Sequence, residues 1–138
     1  MLVVNAATVP GVSVWSETVI LSQGTQYNFS LWGVSSYPVS PATLDVQFDG
    51  TSLSGTPFNL TSSSAWQQFT STWSPIATGA VTVTIYDTNL AGSGNDFALD
   101  DISLTVATPE PTSLVLFGCG ALGMMGYAWR RRKQAACH

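Results

Sequence analysis

The amino-acid sequence predicts an all-β body, a jelly-roll-like β-sandwich, followed by a single C-terminal transmembrane α-helix. Three observations lead to this prediction. Apolar and polar residues alternate with a period of two in several segments of residues 1–107, as they do in strands with one buried face. Two prolines then interrupt the chain at residues 108–111, and residues 112–129 contain no charged side chain. With 138 residues, the chain is long enough for one domain with a buried core.

The alternation is clearest where Tyr27, Phe29 and Leu31 share one face of a predicted strand and Trp32 lies on the other. The pair Asp49-Gly50 follows another alternating segment, and both residues tolerate the positive φ that a two-residue hairpin turn requires. About seven or eight strands, separated by Gly, Pro, Ser and Asn, favour a sandwich or a jelly roll. The predicted strands cover residues 2–5, 12–21, 27–32, 44–48, 66–74, 81–86 and 97–106.

Positive and negative charges are separated along the chain. All 4 Lys and Arg residues are consecutive at 130–133. The charged side chains of residues 1–129 are therefore all negative. A body without Lys or Arg cannot neutralise phosphate groups, which excludes nucleic acid as a partner. The single histidine is the last residue, His138, and both cysteines, Cys119 and Cys137, lie near the C-terminus. The body therefore lacks the side chains for Ser-His-Asp or Cys-His catalysis and for a His/Cys zinc site.

Carboxylates are the remaining catalytic groups of the body. Catalysis by paired carboxylates needs two acids at a defined separation across a cleft. Asp100 and Asp101 do not provide such a pair, because neighbouring residues on a strand point to opposite faces. We therefore predict that the protein is not an enzyme and has no catalytic residues.

Residues 112–129 are predicted to cross a membrane as one helix. They span about 27 Å in helical conformation, close to the roughly 30 Å of a hydrocarbon core. Tyr127 and Trp129 lie at one end, where interfacial aromatic residues are common. The basic cluster follows, at Arg130, Arg131, Arg132 and Lys133. By the positive-inside rule this end stays in the cytoplasm, and the β body lies outside it. The alternative, a buried amphipathic helix, is disfavoured by apolar or small residues on every side.

The start of the chain carries no export signal. Met1–Asn5 lacks the basic region of a signal peptide, and its apolar run is too short to form the hydrophobic part of one. Two explanations are open: the chain lacks its signal and first strands, or the protein is a cytoplasmic tail-anchored one. Because the sandwich begins in mid-strand at Leu2, we favour an N-terminally truncated chain.

The C-terminal order of motifs is specific. Pro109-Glu110-Pro111, the Gly-rich apolar helix and the basic cluster together resemble the PEP-CTERM sorting signal of exported proteins of Gram-negative bacteria. The resemblance implies export, anchoring in the lipid bilayer, and recognition at Pro109, Glu110 and Pro111 by an exosortase, a membrane processing enzyme. It leaves open whether the helix is cleaved and the body released to the extracellular matrix. The expected organisation is a body at 1–107, a sorting signal at 108–133 and a tail at 134–138.

The body resembles a second group of proteins. Residues 24–32, 66–69 and 95–104 are similar to the galactose-binding-like jelly rolls of carbohydrate-binding modules. This resemblance implies an alternative function, the recognition of an extracellular polysaccharide. Such modules usually begin with an Asn-Gly-x-Phe-Glu-like strand that contributes to a structural calcium site, and this motif does not occur in the sequence.

A structural calcium ion is the only cofactor that the sequence suggests. On a regular strand Asp100 would turn inward with Ile102 and Leu104, and a buried carboxylate needs a partner or a metal ion. The loop after Asp87 adds oxygen ligands of the type that calcium prefers. The candidate ligands are Asp100, Asp96, Asp87 and Asn89. The alternative is a polar, Gly-rich turn with Asx caps.

Aromatic side chains are the candidates for stacking on sugar rings. Trp32 lies on the strand face that carries Asn28 and Ser30, and an aromatic ring beside amide groups is typical of a sugar site. The candidates that join it are Trp66, Tyr37, Trp73 and Tyr86. The alternative is that the sandwich buries these rings. We therefore expect a non-enzymatic exported protein of the bacterial envelope or matrix, with a carbohydrate-binding module as the alternative.

Overall fold

The computed structural model describes residues 1–37, 39–61 and 63–108, together with Leu122 and Met124, which are helical and exposed. By its contacts the chain divides into two units, Met1–Ala107 and Thr108–His138, and the first is described below. The predicted sorting residues at 109–111, the rest of the predicted membrane helix and the basic cluster lie outside the described residues. Within the described part, no helix has the length and hydrophobicity that crossing a bilayer requires.

The described residues form nine strands in two antiparallel sheets. The strands are β1 (Leu2–Val4), β2 (Ser13–Leu21), β3 (Tyr27–Ser35), β4 (Thr43–Phe48), β5 (Thr51–Ser52), β6 (Phe58–Asn59), β7 (Gln67–Trp73), β8 (Gly79–Asp87) and β9 (Phe97–Val106). The smaller sheet has four strands in the order β1-β9-β3-β7. The larger sheet has the order β2-β8-β4-β5, and β6 also pairs with β4.

The prediction of an all-β sandwich is confirmed. Tyr27, Phe29 and Leu31 are buried between the sheets, as the alternation in β3 predicts. The hairpin turn is also confirmed, because Asp49 and Gly50 have φ values of 47° and 78° and connect β4 to β5. The short strands β5 and β6 were not among the predicted strands, since two residues are too few to show an alternating pattern.

The core lies between the facing sheets and is rich in aromatic rings. Phe29 of the smaller sheet meets Phe48 of the larger sheet edge to face, with ring centroids 5.8 Å apart and planes at 88°. Trp73 packs against the same Phe48 at 4.9 Å. These contacts hold the two sheets together, and the side chains at alternate positions face solvent on the outer surfaces.

A β-bulge in β9 changes which side chains face inward. The register between β9 and β3 shifts between Ser30 and Trp32, and Asp101 has a φ of 48°. Before the bulge Phe97 and Leu99 are buried, whereas after it Ile102 packs against the core. Asp100 therefore lies on the outer face and is 43% exposed. The expectation that Asp100 turns inward is wrong, because it assumed a regular strand.

Candidate functional site

A groove on the outer face of the larger sheet combines one aromatic side chain with several polar ones. It has a volume of about 310 Å³, at the small end of ligand pockets. We call it the Tyr86 groove. It is lined by Pro10, Gly11, Asp45, Gln47, Tyr86, Asp87, Thr88 and Leu90.

The floor of the Tyr86 groove is formed by alternate residues of β4 and β8. Leu44 and Val46 point into the core, so Asp45 and Gln47 between them lie on the outer face. The register places Tyr86 directly opposite Asp45. Side chains at directly opposite positions on one face are close enough to contact one ligand together.

Several polar atoms of the floor remain available to a ligand. Asp45 Oδ2 accepts hydrogen bonds from Gln47 Nε2 at 2.6 Å and from Ser52 Oγ at 3.0 Å. Among the described residues, none donates to Asp45 Oδ1 or bonds to the Tyr86 hydroxyl. The floor thus combines one aromatic ring with hydrogen-bond acceptors.

Asp87 lies at the end of β8 and anchors the loops that border the groove. Its Oδ1 accepts hydrogen bonds from the backbone N–H of Thr43 at 2.9 Å and of Asn89 at 3.0 Å. Its Oδ2 accepts one from Asn95 Nδ2 at 3.3 Å. Burial raises the pKa of the Asp87 carboxyl, and these hydrogen bonds oppose the shift without cancelling it.

The loop between β8 and β9 is held against the loop between β3 and β4. Asn89 Nδ2 donates to the carbonyl oxygens of Ser40, at 3.0 Å, and Pro41, at 2.8 Å. Asn95 Nδ2 donates to the carbonyl oxygen of Asn89 at 2.8 Å. Gly94, with a φ of 89°, lies against the backbone of Val39. The loop that borders the groove beyond Asp87 is therefore fixed by hydrogen bonds and packing.

The four predicted calcium ligands do not form one cluster. Asp87 and Asn89 are adjacent, but Asp96 Oδ1 accepts a hydrogen bond from Ala6 N at 3.3 Å. Asp100 Oδ1 lies 2.9 Å from the amino group of Met1, whose hydrogen bond lowers the pKa of that carboxyl. Within residues 1–37, 39–61 and 63–108, no three His, Cys, Asp or Glu side chains are grouped so that they could hold a metal ion.

The donors around Asp87 and Asn89 do not fit a calcium ion. The two oxygens of Asp87 accept three N–H groups, and Asn89 Oδ1 accepts the N–H of Ala91 at 3.1 Å. A cation would have to displace these donors, whose positive ends point at the same oxygens. This part of the loop matches the alternative of a turn with Asx caps. Calcium binding by Asp96 or Asp100 stays a prediction.

The predicted stacking residues are distributed over both sheets. Trp32 is half-buried on the outer face of the smaller sheet, opposite Gln68 and Asp100. Trp66 is 41% exposed before β7 and Tyr37 is 57% exposed after β3, at the same end of that sheet. Tyr86 lies on the larger sheet. Stacking by Trp32, Trp66 and Tyr37 stays a prediction.

Sequence reasoning did not identify Asp45 and Gln47 as site residues. Their only signal is that they occupy the polar positions of the alternating segment Leu44–Phe48, which equally well describes an ordinary solvated face. Their relation to Tyr86 depends on the pairing of β4 with β8, which a single sequence does not specify.

Comparison with solved structures shows which class of fold the body has. It is similar to the C-terminal domain of EclA, a sugar-binding protein, with 17% identity over 67% of this chain and 66% of that one and a TM-score of 0.60. It is also similar to the CBM22-1 xylan-binding domain of Paenibacillus barcinonensis Xyn10C, with 10% identity over 67% and 64% of the chains and a TM-score of 0.51. An arabinose-bound α-L-arabinofuranosidase, MgGH51, gives 20% identity over 75% of this chain and 19% of that one, with a TM-score of 0.52.

The body is thus a β-sandwich like those of carbohydrate-binding modules, and at these identities the likeness concerns the fold alone. The C-terminal segment is identified by sequence. Residues 107–133 match the PEP-CTERM protein-sorting motif, so the chain carries this sorting motif after its β-sandwich. No curated protein matches the chain at a significant level.

Proposed function

We propose that the protein is a non-enzymatic exported protein, sorted to the bacterial envelope or extracellular matrix through its C-terminal signal. The match of residues 107–133 to the PEP-CTERM motif carries this proposal. The signal implies an exported, envelope-associated protein that an exosortase processes. Residues 1–107 contain no His, Cys or Lys, so carboxylates are their remaining candidate bases, and this supports a non-catalytic body.

The proposed topology follows from the charges around the apolar segment. Residues 112–129 cross the membrane, and Arg130–Lys133 remain in the cytoplasm because moving four cations through lipid is costly. Residues 1–107 carry no positive side chain that would keep them on the cytoplasmic side. Exosortase then acts at Pro109-Glu110-Pro111, on the outer side of the membrane.

The proposal is tested by expressing the full chain behind an added N-terminal export signal, in a bacterium that has an exosortase and in a strain without one. We expect a shortened product in the first strain and the full-length chain in membranes of the second. Replacement of Pro109, Glu110 and Pro111 by alanine should prevent shortening in the first strain, whereas Gln134→Ala, in the tail, should not. Products of equal mass in the two strains, measured by mass spectrometry, would contradict processing.

A second candidate function is the binding of an extracellular polysaccharide. Two observations favour it: the fold is shared with sugar-binding domains, and the Tyr86 groove joins an aromatic ring to free acceptors. This function is compatible with sorting, because the signal would deliver the body and the body would then hold a glycan. Affinity electrophoresis of the full chain in gels that contain polysaccharide tests this candidate.

A further inference from the structure

We propose that the Tyr86 groove binds an uncharged polysaccharide, and that the body does not bind acidic ones. This inference rests on the second candidate function above and adds to it a place on the molecule and a chemical class of ligand. Three features of the groove carry it: the aromatic floor, the fixed border and the sign of the charge.

The floor offers a partly exposed aromatic ring and acceptors to the same ligand. Tyr86 is partly exposed on the outer face, between Asp45 of β4 and Ser13 of β2. Sugar rings stack on aromatic faces through their C–H groups, and their hydroxyls donate hydrogen bonds. Asp45 Oδ1, which no described residue bonds, is an acceptor for such a hydroxyl.

The groove requires little rearrangement to bind a ligand. Its floor lies on β8 and β4, which are internal strands of the larger sheet. Its border continues into the loop that Asp87, Asn89 and Asn95 fix by hydrogen bonds. A site that is already ordered loses less conformational entropy on binding, so more of the contact energy appears as affinity.

The charge of the groove selects against acidic glycans. Asp45 and Asp87 lie in its lining, and no residue from 1 to 129 is Lys, Arg or His. The amino group of Met1, a cation among the described residues, is bound to Asp100 on the other sheet. A uronic acid or a sulfate ester would meet only negative charge, whereas an uncharged chain of hydroxyls meets acceptors.

A larger depression on the smaller sheet lacks this combination. It has a volume of about 650 Å³, and Asn28, Ser30 and Thr70 contribute polar groups to it. Its aromatic residue, Phe29, is only 1% exposed because it belongs to the core. No ring face is therefore presented there, and the Tyr86 groove is the better sugar site of the two.

The test is affinity electrophoresis of the full chain in mild detergent, at low ionic strength. The gels contain arabinoxylan, arabinan or mixed-linkage β-glucan as uncharged polymers, and polygalacturonate or alginate as acidic ones. We expect retardation by at least one uncharged polymer and by neither acidic one. Tyr86→Ala should lower the affinity for the retarding polymer about tenfold, the equivalent of one lost aromatic contact. Tyr86→Phe keeps the ring and should retain most of the affinity.

Three further variants complete the experiment. Asp45→Ala should also weaken binding, and Ile76→Ala, which removes an exposed apolar side chain outside the groove lining, should not. Melting curves establish that each variant is folded. Retardation by an acidic polymer, or binding that survives Tyr86→Ala and is lost in Trp66→Ala, would overturn the inference and leave sugar binding as the function. A chain that no polymer retards would overturn the inference and the second candidate function together.

Discussion

Gly94 occupies a position that no other residue can take without strain. Its φ is 89°, and a Cβ atom there would collide with the carbonyl oxygen of Val39. We expect Gly94→Ala to lower the free energy of unfolding by about 2–3 kcal/mol, because backbone atoms must move apart to relieve the collision. Gly92→Ala, two residues earlier, meets no atom within 4 Å and should change stability little. Urea unfolding of both variants checks the prediction, and equal midpoints would contradict it.

The Asp87 carboxyl should make the stability of the body depend on pH. Burial raises its pKa in the folded protein, so the folded state binds the proton more tightly than the unfolded chain. Its contribution to stability is therefore fully present below the unfolded value of 3.8 and is lost as the pH rises through the folded pKa. Relative to Asp87→Asn, which does not titrate, the wild-type protein should gain stability between pH 7 and pH 4.

The matched measurement for Asp87 is urea unfolding of both proteins at each pH. Other carboxylates titrate in both proteins, so the difference between them isolates Asp87. The assignment would be contradicted if the difference in the free energy of unfolding between the two proteins stayed constant with pH. It would also be contradicted if the wild-type protein lost stability relative to Asp87→Asn on acidification.

At the scale of single elements, the bulge in β9 determines where several side chains point. Asp101 adopts a φ of 48°, which is unfavourable for a side chain with a Cβ atom and most unfavourable for a β-branched one. We expect Asp101→Val to destabilise the body by about 1–2 kcal/mol and Asp101→Gly to stabilise it by up to about 1 kcal/mol. Ser103→Val, on the regular part of the same strand, should stay within about 0.5 kcal/mol of the wild-type protein. Thermal unfolding distinguishes these outcomes, and a neutral Asp101→Val would contradict them.

The strands also show which parts of the fold can be predicted from the sequence. Alternation predicts β3, β4 and β8 because each buries one face, and Asp49-Gly50 predicts its turn because both residues accept positive φ. The bulge at Asp101 leaves no comparable signal, since Asp tolerates a positive φ without requiring one and no glycine marks the position. The direction of Asp100 therefore follows only from the observed register.

At the scale of the whole molecule, the candidate site depends on contacts between segments that are far apart in the sequence. The groove combines the pairing of β4 with β8 and the segment around Pro10 and Gly11. Composition and local sequence pattern do not specify which distant segments meet, so Asp45 and Gln47 were not predictable as partners of Tyr86. The sorting motif at 107–133 is the opposite case, because it is a linear order of residues and is recognisable without any fold.

The separation of charge also determines which proteases and reagents can act on residues 1–129. Enzymes that cut after Lys or Arg have no target bond in residues 1–129, whether the sandwich is folded or open. Trypsin can therefore cleave the chain only within or after the basic cluster. Amine-directed crosslinkers likewise find no lysine side chain in that stretch. The resistance of residues 1–129 to trypsin-like proteases therefore comes from composition and does not require a stable fold.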